Sequence, residues 1–272
     1  MIEADAAARG VEHRIPYHRE LENLNAEVLR LGALVSETVP RGTNVLLKGD
    51  LAEAQALVDG DVELDHLSLE IEERVYLIMA RQAPMASELR RLITILKLAG
   101  ELERSADLMV NVSKAARRMY GAELTPKIRG VIGAMAVESQ KLLRLSLEAF
   151  ADADESRAGA LGDLDDHLDQ LNREMVEVVF EAHSRDQLDI AAAVQLALIA
   201  RYYERIGDHA VNIGQRVTYM VTGWLPERTD PLRAGARRQQ LDASIPSANP
   251  DSAGQESLGH DAPRRENAPN EG

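Results

Sequence analysis

Apolar residues recur at spacings of three and four along most of the chain. Leu21, Leu24, Val28, Leu31, Val35 and Val39 make the first stripe, which predicts an amphipathic helix ended by Pro40. A second helix is expected from Asp50, whose side chain can cap free backbone amides while Glu53 answers three residues on. Its stripe continues through Leu57, Leu64, Leu67, Ile71, Val75 and Ile78. A third should run from about Ser87 to Met119. Thr125-Pro126, an N-cap followed by proline at the first helical position, opens a fourth through Phe150. Leu161 to Phe180 and Ile190 to Val221 give the fifth and sixth. The prolines at 16, 40, 84 and 126 fall where helices should begin or end, and no segment shows sustained strand-like alternation flanked by hairpin turns. Beyond Pro226, Ser244 to Gly272 mixes Pro, Gly, Ser, Asn and Asp with almost no large apolar residue. The stretch 227–272 therefore reads as a disordered tail.

The six helices come in two sets of three. Sliding the chain against itself by 101 positions lays Leu92–Ser113 on Ala193–Gly214 with six of 22 pairs identical: Ala99/Ala200, Glu103/Glu204, Arg104/Arg205, Asp107/Asp208, Val110/Val211 and Asn111/Asn212. Four of the six are polar, whereas chance agreement between amphipathic helices favours Leu and Ala. This is an internal repeat, and it defines an all-α chain of two tandem three-helix bundles, 14–122 and 123–226.

Composition narrows the chemistry. Of 272 residues 45% are hydrophobic but only 3% aromatic, so the core is built from Leu, Ile, Val, Ala and Met, which suits helix packing. The absence of cysteine excludes disulfides, thiolate metal sites and thiol nucleophiles, leaving carboxylates and seven histidines as metal ligands, and points to a reducing compartment. The formal charge of −14, of which only −2 falls on 227–272, repels phosphate backbones, and no basic stripe offsets it, so nucleic acid is not an expected partner. The start Met1-Ile-Glu-Ala-Asp is acidic where an export signal needs positive charge, and the longest uncharged run, Ile190 to Ala200, is too short to span a bilayer.

The repeated element is Glu-Arg-x-x-Asp-x-x-x-Asn: Glu103, Arg104, Asp107 and Asn111, then Glu204, Arg205, Asp208 and Asn212. Residues at i, i+4 and i+8 share one helical face, and two carboxylates four apart repel by a few tenths of a kcal/mol, so a repeated pair calls for a cation or an arginine from a neighbouring helix. The second helix of each set adds another pair, Asp61/Asp65 and Asp165/Asp169. These are offset by 104, which suggests that the connection between helices five and six gains about three residues. Each unit thus offers two carboxylate pairs on facing helices. Such oxygen donors suit hard divalent or trivalent cations (iron, manganese, magnesium) with little reason to select zinc. One such pair alone would be a solvated face; recurrence in both halves sets it apart. A ferritin-like di-iron centre needs two Glu-x-x-His motifs and finds only Glu63-x-x-His66. His209 has Leu108 as its counterpart and is read as a peripheral contact. No nucleophile elbow or phosphate-binding loop is present. A metal-dependent helical enzyme or a metal store using the same carboxylates is the alternative to a binding protein.

At this level the chain resembles the PhoU family, accessory regulators of bacterial phosphate uptake. The family's Tyr-His-x-Glu-Leu is present as Tyr17-His18-Arg19-Glu20-Leu21. Its turn before the third helix is present as Arg81-Gln82-Ala83-Pro84 with Glu88-Leu89-Arg90, and its hallmark as Glu204-Arg205-Ile206-Gly207-Asp208 followed by His209-Ala210-Val211-Asn212-Ile213. The resemblance covers about residues 14–225. It implies two three-helix bundles related by a pseudo-twofold, with acidic metal clusters at Asp61, Asp65, Glu103, Asp107, Asp165, Asp169, Glu204 and Asp208, supported by Asn111, Asn212, Arg104 and Arg205. The metal would be iron, manganese, magnesium or zinc. It further implies a non-enzymatic negative regulator, cytoplasmic or held at the membrane's inner face through its partners. These would be the ATPase subunit of a phosphate ABC transporter and a sensor histidine kinase, with phosphate sensing left to them; a homodimer is compatible. The first copy departs from the pattern at Ser105-Ala106, where Ile-Gly is usual. Its carboxylates are intact, but loss of the glycine should alter close helix contact there.

Overall fold

A computed structural model describes residues 2–224, with side chains from residue 17 onward. The tail expected over 227–272 lies outside the described residues. The six helices are α1 (Ile2–Lys48), α2 (Leu51–Gln82), α3 (Ser87–Arg118), α4 (Pro126–Asp152), α5 (Glu155–Ser184) and α6 (Ile190–Thr222), and no strand occurs among the described residues.

Four starts follow local rules. Asp50 accepts from the amides of Ala52 and Glu53, Thr125 from that of Ile128, Asp154 from that of Arg157 and Asp189 from that of Ala192. The capping box at Asp50 is only half formed: Glu53 turns to Arg41, whose Nε donates to Glu53 Oε1 at 2.7 Å. Ala83 closes α2 in the left-handed region (φ 42°), away from the helical conformation disfavoured before Pro84.

The largest departure from expectation is in α1, which runs through both Pro16 and Pro40 rather than stopping at them. Proline at 40 removes the amide that would have bonded the carbonyl of Ser36. Gln140 of α4 supplies the missing donor, its Nε2 reaching Ser36 O at 3.2 Å. At the end of the same helix, Arg129 Nη1 donates to Leu47 O at 2.9 Å. The second repeat thus satisfies backbone groups of the first.

Within each repeat the helices pack as a triplet, α1–α2–α3 and α4–α5–α6. Between repeats α1 packs on α4 and α3 on α6, while α2 touches only α1 and α3, and α5 only α4 and α6. Four inner helices therefore share one continuous core, with α2 and α5 on its flanks. At its middle Tyr203 is fully buried and shares a 2.7 Å hydrogen bond with Thr43, tying α6 to α1. The chain from Asp169 to Asp208 is three residues shorter than from Asp65 to Asp107, although the α5–α6 link is one residue longer than the α2–α3 link. The offset of 104 therefore comes from shorter helix arms, not from a longer connection.

Candidate carboxylate clusters

Asp61 and Asp65 lie one turn apart on α2 and face Glu103 and Asp107 on α3. Asp165 and Asp169 on α5 face Glu204 and Asp208 on α6 in the same way. Burial, with mutual repulsion added to it, is visible in the acidities of Asp61, Glu103, Asp165 and Glu204. Burial pushes the Asp61 carboxyl up to about 6, helped by Asp65 and Asp107 and opposed by Lys114. Burial likewise raises Glu103, with Asp107 and Asp65 adding to it and Arg104 opposing. Asp165 rises to about 7, chiefly through burial and then through Asp208, Asp169 and Glu204. Glu204 is raised by burial and Asp208, against the pull of Arg201.

Each cluster contains buried oxygen without a hydrogen-bond partner: Asp61 Oδ1 in the first, Asp165 Oδ1 and Glu204 Oε2 in the second. An unpartnered buried carboxylate oxygen is costly, and a hard cation is one group that would satisfy it. The donor set, all oxygen, fits such a cation. Among the described residues, however, no three of His, Asp and Glu are drawn together closely enough to hold a metal ion. The acids converge without closing.

Gly207 shapes the second cluster. A Cβ there would overlap Asp165 Oδ1 and lie 2.7 Å from Leu168 Cδ2, so the missing side chain is the space that Asp165 occupies. The first copy carries Ala106 at this place, buried.

The supporting residues divide. Arg104 Nη2 pairs with Glu101 Oε1 at 2.8 Å, and Asn212 Nδ2 donates to Glu101 Oε2 at 3.4 Å; Asn111 is half-buried on α3 and Arg205 exposed on α6. Two residues that sequence reasoning passed over matter here. Glu101 receives the buried His209 across the α3–α6 interface, Nδ1 to Oε2 at 2.5 Å. Burial works to raise the Glu101 carboxyl, but the His209 hydrogen bond, with Arg104 and Asn212, holds it below its ordinary value. Arg201, one turn before Glu204, pairs with Glu204 Oε1. The signal for the first was available: Glu101 faces Tyr202 in the repeat alignment and His209 faces Leu108, so two polar breaks in the repeat answer each other.

The fold and the clusters define a class: an all-α tandem repeat with one acidic cluster per copy. Both copies match the PhoU domain, over residues 28–116 and 132–217, and the chain belongs to the PhoU family. It is 29% identical over 214 residues to phosphate-specific transport system accessory protein PhoU homolog 2 of Mycobacterium tuberculosis, an alignment covering 78% of this chain and 100% of that protein. It is 31% identical over 213 residues to PhoU homolog 1 of Thermotoga maritima, covering 78% and 91%. Among solved structures it is similar to the phosphate transport system regulatory protein PhoU from Streptococcus pneumoniae (TM-score 0.72, 27% identity, 78% of this chain and all of that one). It is equally similar to PhoU from Pseudomonas aeruginosa (TM-score 0.72, 29% identity, 76% of this chain and all of that one). Among the described residues no helix is long and apolar enough to cross a membrane.

Proposed function

We propose that the protein is a non-enzymatic regulatory adaptor of phosphate homeostasis, acting in the cytoplasm at the inner face of the membrane. It docks on the ATPase subunit of a phosphate ABC transporter and on a sensor histidine kinase, and with phosphate plentiful it damps uptake and holds the starvation response off. The observation that carries this reading is the family match across both repeats, in proteins named as accessory to phosphate-specific transport. The acidity of the body suits docking on basic protein surfaces and would not itself draw free phosphate.

In this reading the carboxylate clusters hold hard cations, iron, manganese or magnesium before zinc. Asp61, Asp65, Glu103 and Asp107 serve one site, and Asp165, Asp169, Glu204 and Asp208 the other. The orphaned oxygens of Asp61, Asp165 and Glu204 support it. A bound cation supplies positive charge that relieves the repulsion between facing helices; the role is structural, setting the distance between α2 and α3 and between α5 and α6.

The test is a clean deletion of every copy of the gene. Phosphate-starvation genes should be expressed in phosphate-rich medium, and the purified full-length protein should retain the transporter ATPase or the kinase on a column. Normal repression in that strain would overturn the adaptor reading. For the cations, Mn²⁺ added to chelator-treated protein should raise its melting temperature, and Asp208→Asn should reduce that rise.

A further inference from the structure

We propose that the α5–α6 face of the second repeat docks an amphipathic helix of a partner protein, one whose apolar stripe is followed by carboxylates. The inference rests on the adaptor reading and names a surface through which the adaptor holds a partner.

Leu168 packs on Gly207 and Leu161 on Gly214, which fixes α5 and α6 antiparallel and in register. Continued toward the α5–α6 connection, that register brings Val176 level with Leu198 and Phe180 level with Val194, each within about one residue. The two stripes also look the same way. Asp165 and Asp208 meet on one side of the helix pair; Val176 lies about three turns beyond Asp165, and Ile190 about five turns before Asp208. Val176, Phe180, Ile190, Val194 and Leu198 therefore form one band on the side of the second cluster, and all five are exposed, Phe180 by 74% and Ile190 by 63%.

The repeat shows that this band is not a demand of the fold. In the first copy Val176 is matched by Glu72, Leu198 by Lys97, and Phe180 by Tyr76, whose hydroxyl donates to Glu72. Two further exchanges bring in charge at the edge of the band: Arg173 stands where α2 has Leu69, and Arg201 where α3 has Gly100. The same architecture is thus built with an acid, a base and a polar-tipped ring at these places. A contiguous exposed apolar patch with a polar rim marks an interaction site.

The rim names the occupant. Arg173 and Arg201 lie one turn past Val176 and Leu198 toward the cluster, Arg205 lies one turn further, and Arg118 of α3 donates to Gln195 beside Val194. Among the described residues no ion pair engages Arg118, Arg173 or Arg205, and Arg201 pairs with the buried Glu204. Glu177, exposed on the outer edge of α5, is outnumbered by these arginines. The acids of the second cluster begin a turn beyond Arg173 and Arg201, so guanidinium groups are the first charges met past the apolar band. A groove between two antiparallel helices takes a third helix by its apolar face, and carboxylates on that helix would pair with the arginines and fix its direction. The stretch from Ile190 to Arg205 rises about 22 Å, which sets the occupant at about four turns. A lipid surface is disfavoured by Asp186 and Asp189, exposed in the connection beside Ile190.

The probe is a labelled helical peptide with three leucines a turn apart and two glutamates in the turn beyond, titrated with full-length protein and read by fluorescence anisotropy. It should bind, and less tightly at high salt. The same peptide with lysines for glutamates should bind about tenfold more weakly or worse. Phe180→Ser and Val194→Ser should each weaken binding about tenfold, the loss typical of a truncated apolar anchor. Arg173→Glu should erase the preference for glutamate over lysine. Tyr76→Ser, at the matching place of the first copy, should bind as the parent does. All four side chains are exposed, and unchanged melting temperatures will show that the variants are folded. The proposal is overturned if the parent ignores the peptide, if Tyr76→Ser weakens binding as much as Phe180→Ser, or if the lysine peptide binds equally well. It is overturned too if the band is taken by another occupant. Phe180-dependent sedimentation with phosphatidylcholine–phosphatidylserine vesicles would mean a lipid surface, and a Phe180-dependent dimer that excludes the peptide would mean a second copy. The transporter ATPase and the kinase on a column separate this inference from the adaptor reading. If the parent retains a partner and the Phe180→Ser/Val194→Ser double variant retains it equally, the docking surface is refuted and the adaptor stands. If the parent binds the peptide but retains neither protein, the adaptor is refuted and the docking surface stands.

Discussion

The two acidic clusters are built from the same residue types at the same places, yet they are not the same site. Asp61 and Asp165 each bury an Oδ1 without a partner, but Asp165 is pushed to about 7 and Asp61 only to about 6. Two substitutions in the repeat set the clusters apart. Gly207 stands where the first copy has Ala106, and the space of its absent side chain holds the Asp165 carboxyl deep between α5 and α6. Arg201 stands where the first copy has Gly100, so the second cluster has a resident counter-charge on Glu204 while the first relies on Lys114 and Arg104 nearby. A duplicated motif can thus keep its carboxylates and still diverge in depth and charge balance through the small residues between them.

The largest effect should come from filling that space. On α6, Gly207 and Gly214 lie seven residues apart toward α5, and a Cβ at Gly214 would stand 2.8 Å from the backbone carbonyl oxygen of Ala158 and 2.6 Å from Leu161 Cδ1. A backbone atom cannot swing aside, so Gly214→Ala should cost about 1–3 kcal/mol, lowering the melting temperature by roughly 3–10 °C. The first copy has Ser113 there, whose hydroxyl bonds only Met109 O on its own helix. Ser113→Ala adds no atom and removes one buried hydrogen bond, so it should cost no more than about 1 kcal/mol. Equal melting temperatures for the two variants would mean that α5 and α6 are no more tightly fitted than α2 and α3.

The second comparison is in pH. Both aspartates have folded-state pKa values above the unfolded value of 3.8, so between that value and their own the folded protein binds more protons than the unfolded one. Stability of chelator-treated protein should therefore fall as pH rises from about 4, until about 6 for Asp61 and about 7 for Asp165, and then level. Asp165→Asn should remove most of the fall between pH 6 and 7, while Asp61→Asn should act chiefly below pH 6. Urea melts at closely spaced pH values measure this. A fall between pH 6 and 7 that survives Asp165→Asn would break the assignment. Glu101 has the opposite sign, because its carboxyl is held below its ordinary value by His209, and its contribution is lost as pH falls through the acid range.

How much of this was legible in the sequence depended on whether the cause was local. The caps at Asp50 and Thr125 and the six stripes are set by residues within a few positions of one another, and apart from α1, which runs past Pro40 to Lys48, the helices start and end within about six residues of where they place them. The carboxylate pairs were legible because they occur twice. Pro40 misled, since the donor that repairs the missing hydrogen bond, Gln140, lies 104 residues beyond Ser36 on another helix and carries no local mark.

 The capping box at Asp50 was half right because Arg41, from the preceding helix, competes for Glu53. Glu101 and Arg201 were passed over for the same reason: each takes its meaning from a partner, His209 across an interface or Glu204 in a cluster, and not from a motif of its own.

The smallest effect tests the resident arginine. Arg201 is half exposed, so its pair with Glu204 is worth at most about 1 kcal/mol, and Arg201→Ala should barely move the melting temperature of chelator-treated protein. Its effect should lie in cation binding instead. The guanidinium neutralises the carboxylate that a cation would use, so removing it should tighten Mn²⁺ binding at the second cluster, by no more than roughly fivefold for an interaction of that size. An Asp61→Asn background isolates the second cluster for calorimetry. The reciprocal change, Gly100→Arg, would place a guanidinium one turn before Glu103 and should weaken Mn²⁺ binding at the first cluster, measured in an Asp165→Asn background. If Arg201→Ala weakens binding instead, the arginine is holding Glu204 in place for the cation and not competing with it. The two clusters would then differ in how their ligands are positioned, with charge balance playing no part.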